Sequence, residues 1–86
     1  MTLRETLAKN LRMLRAKRGL SQERLALEAE IDRSYVSLLE TKKYSASLDM
    51  IERLAVALGV EPLMLLTPER RRPGPKLLPQ GGARKR

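Results

Sequence analysis

The chain contains no cysteine and no histidine. Their absence excludes disulfide scaffolds, thiolate or imidazole metal sites, cysteine nucleophiles and every catalytic arrangement built on an imidazole base. No catalytic residue, metal or cofactor is expected, and an enzyme is the weakest reading. Tryptophan and phenylalanine are missing too, and the two aromatic residues are Tyr35 and Tyr44, so the core must be aliphatic. Long apolar runs are also lacking. The longest, Leu54 to Val60, falls far short of the roughly 18–20 residues that a spanning helix needs. Arg4 and Glu5 stand near the start, with no apolar block followed by a cleavage site. Neither a membrane span nor a signal peptide is expected, and the default location is the cytoplasm.

Positive charge is what the chain has in excess. Eighteen Lys and Arg against ten Asp and Glu give a net charge of +8 over 86 residues. A chain this short makes one small domain at most. Its charge points to a polyanionic partner, nucleic acid ahead of an anionic membrane surface. The excess is unevenly spread. Residues 1–18 carry six basic groups and one acidic group, residues 19–68 carry five and eight, and residues 69–86 carry seven and one. The last stretch also holds Pro73, Pro75, Pro79, Gly74, Gly81 and Gly82. Such a composition buries too little apolar surface to offset its ordering entropy. A folded domain over residues 1–67 and a disordered basic tail over residues 68–86 are therefore expected.

Within the folded part every periodic signal is helical. Thr2-Leu3-Arg4-Glu5 is a capping box, and Leu3, Leu7, Leu11 and Leu14 recur at helical spacing. The first helix should run from Leu3 to Arg18 and stop at Gly19. Ser21 caps a second helix over Gln22 to Ala29, and Asp32 a third over Arg33 to Thr41. Ser47 caps a fourth over Leu48 to Leu58, ended by Gly59, and Pro62 starts a short fifth over Pro62 to Leu66. No useful stretch alternates with period two. The expected class is all-α, with five helices joined by short turns.

Two short helices separated by a tight turn, over about residues 21–41, outline a helix-turn-helix. The stretch GLSQERLALEAEIDRSYVSLLE, followed by SLDMIERLAVALGV, resembles the Cro/CI (Xre-like, lambda-repressor-like) family of bacterial and phage DNA-binding domains. The likeness covers about residues 7–66. It is strongest in Ser21-Gln22-Glu23 with Leu25-Ala26, in Ser34-Tyr35-Val36-Ser37, and in Leu54-Ala55 with Leu58-Gly59-Val60. It implies a compact five-helix domain whose third helix, residues 33–41, lies in the major groove of double-stranded DNA.

Residue roles follow from that resemblance. Arg33, Ser34, Ser37 and Leu38 would meet base edges: Arg33 can fork onto a guanine, the hydroxyls are less selective, and Leu38 offers apolar contact only. Gln22, at a helix start, would hold a backbone phosphate. Tyr35, Thr41, Lys42 and Lys43 would add further phosphate contacts, although the Tyr35 ring serves equally well to cover the core. Arg15 and Glu40 match an ion pair that some members use to join the first helix to the third. Glu30 and Lys42 stand where glycine is frequent in the family, so a left-handed conformation is expected at Glu30 and altered loop geometry after the third helix. Leu63, Met64, Leu65 and Leu66 cover the fifth helix all round. Leu63 and Met64 with Val60 are accordingly expected at a homodimer interface that would set two third helices on an inverted repeat.

The expected function is sequence-specific DNA binding in transcription regulation, as a repressor or similar regulator encoded by a bacterium or phage and located with the nucleoid. The rival of another class is an antitoxin or anti-activator that works mainly through a protein partner. Non-specific packaging of nucleic acid by the tail is the third reading.

Overall fold

The computed structural model describes residues 2–69. Most of the expected basic tail falls on residues 70–86, outside the described residues.

Each of the four longer helices begins where a side chain takes up one of the amides that a helix start leaves without a partner. α1 (Leu3–Lys17) opens on a closed capping box. The Thr2 hydroxyl accepts from the Glu5 amide at 3.1 Å, and the Glu5 carboxylate accepts from the Thr2 amide at 2.9 Å. At α2 (Gln22–Ala29) Ser21 accepts from the Arg24 amide. Asp32 accepts from Ser34 at α3 (Arg33–Glu40), and Ser47 from Met50 at α4 (Leu48–Leu58). α5 (Pro62–Leu66) starts on proline, whose missing N–H costs nothing there.

Two ends fall one residue short of expectation. α1 closes at Lys17 and α3 at Glu40, leaving Arg18 and Thr41 as caps. The cause is the same in both places: the residue after the cap, Gly19 or Lys42, takes a positive φ of 68° or 67° and turns the chain away. At Lys42 a side chain pays for a conformation that glycine adopts freely, at about 1 kcal/mol. Glu30 does the same at φ 60°, as expected, and ends α2 by donating its amide back to the helix. Gly59 ends α4 at φ 72° under a second constraint. A Cβ there would sit 2.8 Å from Nη1 of Arg18, which donates to the Leu58 carbonyl at 2.6 Å.

The five helices enclose one aliphatic core. Leu7, Leu11 and Leu14 of α1 meet Leu25, Ala26 and Ala29 of α2, Val36 and Leu39 of α3, and Ile51, Leu54, Ala55 and Leu58 of α4. Leu65 closes it from α5. α3 packs on α1 and α2, α4 spans α2 and α5, and α1 backs α5. Among the described residues no helix is long and apolar enough to cross a membrane.

One buried polar side chain fixes α5. Asn10 is 1% exposed on the inner side of α1, and its amide nitrogen lies 2.9–3.1 Å from the carbonyls of Met64, Leu65 and Thr67. Those carbonyls end a helix too short to satisfy them itself. Asn10 therefore supplies α5 with the partners that helical continuation would have given.

Candidate nucleic-acid interface

The helix pair α2–α3 presents its expected side chains unevenly. Val36, Leu39 and Glu40 are buried, which turns the opposite side of α3 outward. Arg33 and Ser34, in its first turn, are exposed. Ser37 and Leu38, one turn on, are half-buried and not fully on the exposed side. The Ser34 hydroxyl also contacts the Asp32 carboxylate, so the capping residue orients it.

The expected phosphate contacts differ in how far they are already engaged. Lys42 and Lys43 are exposed. The Thr41 hydroxyl donates back to α3, 2.9 Å from the Ser37 carbonyl and 3.2 Å from that of Leu38. Tyr35 is half-buried, its ring edge-on to Tyr44 with centroids 5.3 Å apart. Its hydroxyl lies 3.4 Å from the Ser45 carbonyl, a long and weak bond. The Tyr35 ring packs against the core and the turn after α3, and its hydroxyl stays near the surface.

Behind this surface lies a well-defined polar cluster centred on Glu40. Its side chain is 3% exposed, and the two carboxylate oxygens face three donors. Arg15 Nε donates to Oε2 at 2.7 Å and Arg15 Nη2 to Oε1 at 3.1 Å, a bidentate fork. Gln22 Nε2 donates to Oε1 at 3.0 Å. Arg15 Nη1 also donates to the Leu20 carbonyl at 2.8 Å, tying in the turn between α1 and α2. The hydrogen bond to Glu40 holds the Arg15 pKa above its ordinary value against the opposing effect of burial. The ion pair implied by the family likeness is therefore present, and it joins α1, α2 and α3 at one point.

Several residues of this region were not apparent from the sequence. Arg12 Nη1 donates to the Glu40 main-chain carbonyl at 2.7 Å, which sets a cation at the end of α3. Gln22 bonds to Glu40, although the sequence suggested only a phosphate role for it. Asn10 and Arg18 carry long-range bonds of the same kind. No local signal announces any of them, since each partner lies 18 to 57 residues away.

At the far end of the domain, Leu63 is 69% exposed, while Met64 and Val60 are half-buried. Of the four consecutive apolar residues of α5, only Leu65 is fully inside.

A capped helix-turn-helix backed by an Arg–Glu ion pair, with an exposed arginine at the start of its second helix, is the arrangement of a DNA-binding domain. The chain matches the family described as Helix-turn-helix (HTH_3) over residues 11–65, and it belongs to that family of transcription regulators, which are not enzymes. It is 46% identical over 70 residues to a protein of Neisseria meningitidis serogroup B described as a hypothetical transcription factor. That match covers 81% of this chain, and the chain spans about two thirds (66%) of the relative's length. Among solved structures, the hypothetical transcription factor NHTF from Neisseria superposes with a TM-score of 0.78 at 45% identity, covering 80% of this chain and 79% of that one. The restriction-modification controller protein C.AhdI from Aeromonas hydrophila gives a TM-score of 0.70 at 44% identity, covering 72% and 94%.

Proposed function

We propose that the protein regulates transcription by binding a specific inverted-repeat operator as a homodimer, with α3 as the recognition helix. The observation that carries this reading is the exposure of Arg33 and Ser34 at the first turn of α3, on a helix whose opposite side is locked into the core. In this arrangement Arg33 forks onto a guanine and Ser34, Ser37 and Leu38 complete the base contacts. Gln22, Tyr35, Thr41, Lys42 and Lys43 hold the phosphates on either side and set the register. Leu63, Met64 and Val60 form the apolar dimer contact, which sets two recognition helices about 34 Å apart. The protein works in the cytoplasm of a bacterium, on the nucleoid.

Selection of bound duplexes from a random library, at two salt concentrations, tests the reading. An inverted-repeat motif is expected at both, and Arg33→Ala should relax one position of each half-site by about 1–3 kcal/mol of discrimination. Absence of any enriched motif would sink the proposal. Leu63→Glu tests the dimer, since Leu63 is exposed and its replacement leaves the core intact. Sedimentation should then show a monomer in place of a dimer; a wild-type chain that is monomeric free and on DNA defeats the dimer.

A further inference from the structure

Gln22 is assigned above to a backbone phosphate, yet its side-chain nitrogen is bonded 3.0 Å from Oε1 of Glu40. These two roles fit together through the chemistry of a primary amide. The group has two N–H donors on one nitrogen and an oxygen that only accepts. A buried carboxylate with both oxygens occupied by Arg15 and Gln22 also only accepts. It can therefore hold the nitrogen of Gln22 and must repel its oxygen. The orientation of the amide is set by charge and not by packing.

That orientation suits a phosphate. One N–H goes to Glu40 and the other remains on the same nitrogen, the kind of donor an anionic oxygen requires. The Ser21 hydroxyl takes the Arg24 amide, and the Ser21 carbonyl takes that of Leu25. The main-chain amides of Gln22 and Glu23 are left at the start of α2 beside the oriented side chain. Without the carboxylate, nothing prevents the amide from turning its oxygen toward the phosphate.

We propose that Glu40 is a positioning residue for DNA binding: its carboxylate orients the Gln22 amide so that an N–H meets the phosphate backbone. This rests on the DNA-binding reading above. It links the end of the recognition helix to the phosphate contact of α2 through one hydrogen bond, so that the two contacts are coupled.

The test is a double-mutant cycle on the full chain with a mixed-sequence 20-base-pair duplex, using wild type, Gln22→Ala, Glu40→Gln and the double variant. Gln22→Ala should weaken binding about tenfold, the range of one hydrogen bond to a charged group. The slope of affinity against salt should stay unchanged, because a neutral amide releases no counterion. On the Glu40→Gln background, Gln22→Ala should cost less than twofold, although Glu40→Gln alone lowers the melting temperature. A merely structural Glu40 leaves the two losses multiplicative, and that result overturns the proposal. If Glu40→Gln does not fold, NMR of the wild-type Gln22 side-chain amide decides. One Nε2 proton should shift on adding the duplex while the other, on Glu40, stays; two unmoved protons overturn the proposal. Failure of wild type to bind any duplex overturns the DNA-binding reading itself, whereas normal binding by Gln22→Ala overturns only the positioning role.

Discussion

A carboxylate buried as deeply as Glu40 is tolerable only because its charge is compensated where it sits. Removing the partner is therefore expected to cost more than the pair is worth. Arg15→Ala should lower stability by about 3–5 kcal/mol, measured by urea unfolding, because it strands the Glu40 charge and the Leu20 carbonyl together. A loss below about 1 kcal/mol would mean that Glu40 is solvated after all. Glu5 lies nearer the surface, half-buried and bonded to the Thr2 amide. That bond holds its pKa below the ordinary 4.5, and the charge of Lys42 across the α1–α3 edge helps. Because the fold favours the ionised form, the capping box contributes fully above the ordinary carboxylate range. The contribution is lost as the pH falls through the depressed value. Thermal melts from about pH 5 downward should therefore fall less steeply for Glu5→Gln than for wild type. Parallel acid limbs would show that the cap contributes nothing.

At the level of elements, the helices and their caps were legible because both are local properties: spacing of leucines, an oxygen-bearing side chain just before each of the four longer helices, and Pro62 at the start of α5. α2, α4 and α5 have the expected bounds, and the two misjudged ends follow from one-residue turns at Gly19 and Lys42. The buried Arg15–Glu40 pair was legible only through family likeness, since nothing in a sequence brings residues 25 apart together. Gln22–Glu40, Arg12 to the Glu40 carbonyl, and Asn10 to α5 were not legible at all. Each involves a polar residue on an otherwise ordinary amphipathic helix, and its partner is chosen by tertiary packing. Asn10 shows what such a residue is worth. Asn10→Ala leaves a cavity and removes the donors from the last carbonyls of α5, so a loss of about 2–3 kcal/mol is expected. Amide exchange should rise first in α5, because that helix has only five residues of its own. Exchange rising equally in all five helices would mean that α5 does not open by itself.

Along the whole sequence, net positive charge and the helix-turn-helix are separated. Residues 19–68 hold both helices of the motif and carry more acidic than basic groups, while the surplus of positive charge lies in residues 1–18 and 69–86. Attraction to DNA and choice of sequence are thus expected to vary independently. The C-terminal stretch offers the test, since Arg70, Arg71, Arg72, Arg84, Lys85 and Arg86 supply six of its charges. If these follow phosphates, each displaces about 0.9 of a counterion, and replacing all six by glutamine should flatten the log–log salt dependence by up to about five units. Affinity should fall by a similar factor on every duplex, and the motif enriched from a random library should stay the same, because phosphate contacts carry no sequence information. Replacing Lys42 and Lys43 provides the contrast. These residues follow α3, the proposed recognition helix, so their loss should reduce the slope by only about two and also disturb the proposed register on the operator. A salt slope unchanged by the six C-terminal substitutions would show that this charge does not touch phosphates. Attraction would then have to come from Lys42, Lys43 and the basic groups of α1.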